Sequence, residues 1–359
     1  MAGWTAYCPE GPPAENRPII RDVKMSMKRR LTRREFLLAT ATAGTALGAG
    51  ILTWNRWRRP QLEADTFVAA VSNYDADLAS VMLSGLRELG VSREEIAGKR
   101  ILLKPNLVEP HAGRGHINTH PLVVRGAVEA FLHMGASSVI AAEGAGHYTD
   151  TLLVLEQSGL RDVLLEDRIP FVDLNQQQGY SVVNAGRYSR LGTLTFPVCL
   201  RQVDWIVSLA KMKTHHWAGV TLSMKNLFGV MPGIYYGWPK NVLHHAGIEK
   251  SILDINATLR PHFAIVDGIV GMEGDGPIMG DPVPSGVLVM GRNLPAVDAT
   301  SARLMGVNPH RIKYLHTAAD WLGPIDRNRI HQRGENIDTL RTNYALLDFV
   351  PAQRGIGKK

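Results

Sequence analysis

Cysteine is nearly absent from the chain: there are two in 359 residues, Cys8 and Cys199. With one thiol beyond residue 60, the body can form neither an internal disulfide nor a cysteine-ligated iron–sulfur cluster. Cys199 falls in the apolar run Leu194 to Leu200, where a buried structural thiol is expected rather than a nucleophile. The H-E-x-x-H spacing of zinc proteases is missing, as is the G-x-x-x-x-G-K-S/T phosphate loop. No period of solenoid length recurs.

An excess of positive charge is also missing where it would count. The net charge is +7, but residues 1–59 hold 11 of the 40 basic and 4 of the 33 acidic residues, leaving 29 of each in the body. The basic balance therefore belongs to the leader. The body carries no recognised nucleic-acid motif, and nucleic acid is not an expected partner.

What is present begins with that leader. Thr32-Arg33-Arg34-Glu35-Phe36-Leu37 places two arginines after a hydroxyl residue and before Phe-Leu, in the frame of a twin-arginine export signal. Phe36 to Trp54 is free of charge and rich in Ala, Thr and Gly; as a helix it would span about 28 Å, close to a bilayer core. No A-x-A cleavage box follows, so the expectation is an uncleaved anchor. That places the body on the periplasmic side of the cytoplasmic membrane, with the twin-arginine translocase as a partner during export. Residues 1–27 read as an unstructured or mis-assigned start, 28–59 as signal and anchor, 60–350 as one domain, and 351–359 as a tail.

Within the body, apolar strand-like runs alternate with amphipathic helical patterns. Thr66–Val71, Arg100–Leu103, Ser138–Ala142, Pro170–Asp173, Trp205–Ala210, His262–Val266 and Gly286–Met290 read as strands. Residues 180–185 and 192–200 read as an antiparallel hairpin. Leu78–Leu89, Pro121–His133, Ile248–Leu259 and Pro295–Met305 read as helices. The alternation predicts an α/β fold with a mainly parallel or mixed sheet, helices on both faces and Rossmann-like layering.

Polar chemistry concentrates at the ends of these strands. Lys104, Glu143, Lys211 and Asp267 each close an apolar run, and in a parallel sheet such ends line one ligand-binding edge. The densest stretch is Lys211 to Gly229, in which Trp217, Val220, Thr221, Met224, Leu227 and Phe228 have the spacing of an amphipathic helix capped by Gly229. Lys211 and Lys213, about 7 Å apart on one face of an extended segment, would add to a helix N-terminus as an anion site. The loop with Tyr235, Tyr236 and Trp238 suggests a lid or pocket wall.

Several motifs, in order, carry a resemblance. Lys104-Pro105-Asn106-Leu107, Thr119-His120-Pro121, Glu143-Gly144, Lys211-Met212-Lys213-Thr214-His215, Met224-Lys225-Asn226-Leu227-Phe228-Gly229, Asp267-Gly268, Gly271 to Pro277 and Ala296-Val297-Asp298 resemble the domain of unknown function 362 family over roughly residues 100–310. The resemblance implies an α/β domain of prokaryotic origin and no particular reaction.

The expected function is an exported enzyme acting on a small anionic substrate, a carboxylate or phosphate. Lys104, Asn106, Lys211, Lys213, Thr214, Lys225 and Asn226 are the candidate substrate-binding residues. His215 and His120 are the candidate acid–base groups, since imidazole titrates near neutral pH. Glu143, Asp267 and Glu273 are oxygen donors of the kind a divalent metal would use; no other cofactor is assigned. A membrane-tethered solute- or cofactor-binding protein, or a maturation factor without catalysis, is the alternative.

Overall fold

The computed structural model describes residues 62–146 and 150–357. The expected export signal and anchor, and the expected unstructured start before them, lie outside the described residues. In chain order the strands are β1 (Ala64–Ala70), β2 (Arg100–Pro105), β3 (Ser138–Glu143), β4 (Phe171–Asp173), β5 (Gly179–Val183), β6 (Thr193–Pro197), β7 (Trp205–His215), β8 (Gly219–Thr221), β9 (Phe263–Glu273), β10 (Asp281–Val283), β11 (Val287–Gly291) and β12 (Ile330–Gly334). The helices that matter here are α1 (Leu78–Glu88), α2 (Pro121–His133), α3 (Thr151–Gln157), α4 (Leu160–Glu166), α5 (Ser223–Asn226), α6 (Asn241–His245), α7 (Ile248–Leu259) and α8 (Leu294–Leu304).

The main sheet runs β12-β1-β11-β9-β7-β2-β3-β4, with β10 added to β9 and β8 to β7. Along this path β11 is antiparallel to both neighbours and every other adjacent pair is parallel. β5 and β6 form the expected separate hairpin. The two innermost long strands, β7 and β9, are apolar along most of their length, because a parallel sheet is covered on both faces. Alternate residues serve different layers. Leu103, Val207, Leu209 and Phe263 pack under α1 to α4 through Met82, Leu86, Val124, Phe131 and Val154. Leu102, Ile206, Ala210 and Met212 pack under α5, α7 and α8 through Met224, Ile252 and Val297.

Helix starts follow local chemistry. The Asp77 carboxylate accepts from Ser80 N at α1, and Pro121 opens α2 behind the His120 ring, which accepts from Leu122 N. The chain leaving β2 crosses to α2 on one face, whereas the chain leaving its neighbour β7 goes to α5 on the other. Adjacent strands whose connections depart to opposite faces leave a crevice between them.

The stretch 205–229 folds differently from its spacing. β7 continues through Lys211 and Lys213 to His215; the chain turns at Gly219 (φ 82°), returns as β8 against residues 213–215, and only then makes the short helix α5. The apolar positions that mimic a long helix are divided between a strand and a helical turn. At the other end, residues 351–357 pack back onto the body. The Gln353 side chain donates to Gly274 O and accepts from Leu347 N, and Ile356 enters the core.

Candidate functional site

The crevice between β2 and β7 opens into a cavity of about 330 Å³. Its floor comes from the ends of β2, β3 and β7: Lys104, Asn106, Glu143, Lys213 and His215. Thr221, Lys225 and Asn226 come from β8 and α5, and Lys240 and His244 from the segment entering and forming α6. Trp217, Phe228, Pro239 and Ile278 give it apolar walls. Four lysines and one carboxylate face the same small space.

Each of these lysines is held differently. Lys104 Nζ donates to Pro105 O at 2.9 Å, to Asn226 Oδ1 at 2.9 Å and to the Glu143 carboxylate, which uses all three of its N–H bonds. Glu143 also accepts from Gly144 N and Leu107 N. This packing requires a glycine at 229, since a Cβ there would stand 1.8 Å from Glu143 Oε1. Lys213 Nζ donates only to backbone carbonyls, Ile117 O at 2.7 Å and Pro277 O at 3.1 Å. Lys240 Nζ donates to Asn175 Oδ1 and Met231 O. Lys225 Nζ has no hydrogen-bond or ion-pair partner among the described residues; it lies 4.3 Å from the Phe228 ring centroid.

Burial without matching negative charge depresses these cations. Desolvation, then repulsion from Lys211, Lys225 and Lys104, pushes Lys213 well below the usual lysine value. Desolvation and the charge of Lys104 bring Lys225 down to about 8. Desolvation brings Lys240 down to about 7. His215 is pushed well down by burial and then by Lys225, so its imidazole is neutral at physiological pH. Its Nδ1 accepts from Trp217 N at 3.0 Å and Ala218 N at 3.2 Å, which puts the proton on Nε2. His215 is therefore a hydrogen-bond donor. His244, down to about 4 mainly through burial, contacts Lys240 O through Nδ1, which must then carry the proton and leave Nε2 as an acceptor.

The short helix α5 is fixed from elsewhere. Asp298 on α8 is fully buried and accepts from Ser223 N at 2.7 Å and Met224 N at 3.1 Å, satisfying the first amides of α5. Two polar atoms at the cavity have no partner among the described residues, Asn106 Oδ1 and Thr221 Oγ1.

The remaining predicted residues lie elsewhere. Lys211, two residues from Lys213, is sealed in a separate cluster. Its Nζ donates to Asp267 Oδ2 and to Tyr74 OH, each at 2.9 Å, and Tyr74 OH donates to Asp267 Oδ1 at 3.2 Å. Asp267 also accepts from His120 N and Ile269 N. The His120 ring stacks on Tyr74 with centroids 3.6 Å apart and caps α2, away from the cavity. Thr214 Oγ1 donates to Gly274 O, and Glu273 accepts from Ala345 N, so both brace the C-terminal segment. The expected metal set does not converge: Glu143 is taken by Lys104, Asp267 by Lys211 and Glu273 by a backbone amide. No group of three or more His, Cys, Asp or Glu side chains among the described residues is placed to hold a metal ion.

Sequence reading missed Lys240, His244 and the side-chain cradle at Asn175. Lys240 and His244 reach the cavity from a segment with no periodicity, marked only by the Pro and aromatic content just before it, and Asn175 holds Lys240 from the turn after β4.

The fold and site together define an α/β protein with a lysine-lined crevice at the switch point of a mainly parallel sheet. The chain belongs to the family described as domain of unknown function (DUF362), whose model matches residues 101–303 and so spans every lysine of the cavity. A relative, the thylakoid-associated protein sll1697 of Synechocystis sp., is 26% identical over 270 residues, covering 70% of this chain and 81% of that protein. Among solved structures, the lactate racemase apoprotein from Thermoanaerobacterium thermosaccharolyticum is 17% identical with a TM-score of 0.36, covering 60% of this chain and 52% of that one. A Thermotoga maritima protein is 11% identical with a TM-score of 0.32, covering 60% and 55%. The chain thus spans about half the length of these two structures.

Proposed function

We propose that the crevice binds a small anion carrying a carboxylate or phosphate group, and that the protein is an enzyme acting on that anion. The observation that carries this reading is the charge imbalance of the cavity. Lys104 is neutralised by Glu143, while Lys213, Lys225 and Lys240 have no carboxylate partner among the described residues. A buried cation is costly unless an opposite charge meets it, and an anion that enters here meets three. Lys213 and Lys240 each keep one N–H free, Lys225 keeps three, and His215 Nε2–H adds a neutral donor. A neutral donor beside depressed amines is the equipment of a site that stabilises developing negative charge while an amine moves a proton.

The test is calorimetric titration of the full chain with phosphate, malonate and lactate at pH 6.5 and pH 9. The expected result is saturable binding of at least one, tighter at the lower pH and accompanied by proton uptake near pH 8. Absence of binding for all three at both pH values would sink the reading.

The leader belongs to the same proposal as an export signal and membrane anchor, delivering the crevice to the periplasmic side. The Synechocystis relative is named as a thylakoid-associated protein. Among the described residues no helix is long and apolar enough to cross a membrane, so the anchor rests on the leader. Replacing Arg33 and Arg34 by lysine should abolish export in a periplasmic fractionation assay; unchanged export would reject the signal.

A further inference from the structure

The four cavity lysines do not share one role, and their hydrogen bonds separate them. Lys104 spends every N–H on protein acceptors, so it can supply only field. Lys213 and Lys240 are each pinned by two acceptors, which fixes the ammonium in place and leaves one N–H for a ligand. Those are features of anchors. Lys225 is pinned by no acceptor among the described residues, where it lies over the face of Phe228. An anchor would gain from being held, whereas an amine that must approach, bond to and release a carbon atom gains from being free.

We infer that Lys225 is a covalent amine, which attacks the carbonyl carbon of an anionic 2-oxo acid held in the cavity and forms a protonated imine with it. The inference rests on the anion reading above, and names the substrate class. The acid's carboxylate pairs with the pinned cations, and its carbonyl supplies the electrophile.

Lys225 loses one proton to become the attacking amine. Its nitrogen forms a bond to the carbonyl carbon and gives up a second proton as the carbonyl oxygen takes one, leaving a neutral carbinolamine. That hydroxyl is protonated and leaves as water while the C=N bond forms. The sum is ammonium plus ketone giving iminium plus water, with charge conserved and no oxidant or reductant required. The acceptor Nε2 of His244 and the donor Nε2–H of His215 are the cavity groups suited to handle the proton and the carbonyl oxygen. Desolvation and neighbouring cations are a standard means of keeping a lysine amine nucleophilic near neutral pH, and Lys225 is down to about 8 for those reasons.

The experiment is reductive trapping. The full chain is incubated separately with pyruvate and 2-oxoglutarate at pH 7.5, reduced with sodium borohydride, and read by intact mass and peptide mapping. Lactate binding is measured calorimetrically in parallel. The expected result is one adduct per chain, mapped to Lys225 in the wild-type protein and lost in both Lys225→Arg and Lys225→Met, with melting temperatures confirming that the variants fold. Mapping in the wild-type protein stands even if a variant does not fold. An adduct spread over surface lysines, or unchanged in Lys225→Arg, overturns the inference. No adduct while lactate still binds overturns it and leaves the anion reading standing. No adduct without lactate binding overturns it, and overturns the anion reading too when phosphate and malonate also fail to bind.

Discussion

Lys211 and Lys213 are two residues apart on one buried strand, yet they belong to opposite kinds of environment. Around Lys211 the charge is answered: Asp267 neutralises it, Tyr74 bridges the pair, and backbone amides of His120 and Ile269 complete the carboxylate. Around Lys213 there are carbonyl oxygens, more lysines and one carboxylate, Glu143, which Lys104 already pairs. The first arrangement is complete without a ligand and holds β9, β7 and the start of α2 together. The second is complete only when something negative enters. Residue type does not distinguish a structural lysine from a functional one; local charge balance does.

The sharpest way to break this comparison is to remove a counter-charge from the sealed side. Asp267→Ala leaves Lys211 buried and unpaired, and should lower the unfolding free energy by about 3–5 kcal/mol in urea denaturation. Loss of less than about 1 kcal/mol would mean that the Lys211 cluster is not balanced in the sense described.

On the open side the sign should reverse. Lys225→Met removes a desolvated charge, so the ligand-free protein should be as stable as wild type or more so. Affinity for the anion found by calorimetry should fall roughly 10- to 100-fold, the value of a charge-assisted hydrogen bond. A destabilised variant with unchanged affinity would collapse the distinction between the two regions.

The Lys104–Glu143 pair lines the cavity but belongs electrostatically with the sealed cluster. Gly229→Ala pushes a methyl group into it. The expected cost is about 1–3 kcal/mol from overpacking, together with weakened anion binding as Glu143 and α5 shift. Wild-type behaviour in both assays would show that this wall is pliable.

The last comparison is in pH dependence. Lys225 and Lys240 sit at about 8 and about 7 in the folded state and near 10.4 when unfolded, so between those values the unfolded chain binds more protons. Stability of the ligand-free protein should therefore rise from pH 7 towards pH 10, by up to ~1.4 kcal/mol per pH unit for each lysine. A bound anion raises both values and should flatten the slope. Urea melts at pH 7, 8 and 9, with Lys225→Met alongside, check this; an identical slope in the variant would remove Lys225 as a source.

Much of the fold is legible because strands and helices alternate with the right periods, and of the four residues that strand ends place on one edge, Lys104 and Glu143 do line the cavity while Lys211 and Asp267 pair with each other away from it. The stretch 217–228 misled because β8 followed by α5 happens to reproduce helical apolar spacing, while the turn at Gly219 leaves no mark on that spacing. The apolar spacing alone ends β7 at Ala210, since lysines ordinarily close a strand, and nothing in one segment reveals that Asp267 waits elsewhere to neutralise Lys211 and Tyr74 to accept from it. The metal expectation failed for the same reason: each carboxylate was already answered by a distant cation or amide. Lys240 was invisible because a loop residue reaches a site through tertiary packing, not periodicity.

The first strand of the body has an outcome for how the molecule is made. β1 lies between β11 and β12, pairing with residues 287–291 on one side and 330–334 on the other. As the chain leaves the ribosome, its earliest strand must wait for nearly its last segments before either edge is satisfied. Asp298, which seats the helix carrying Lys225, also arrives late. The domain is therefore built by a closing step between its two ends, slow because so much intervening chain must be looped first. A product cut short at residue 280 would hold many of the cavity's residues, including Lys104, Lys213, Lys225 and Lys240, without the strands that lock β1 in place or the carboxylate that seats Lys225.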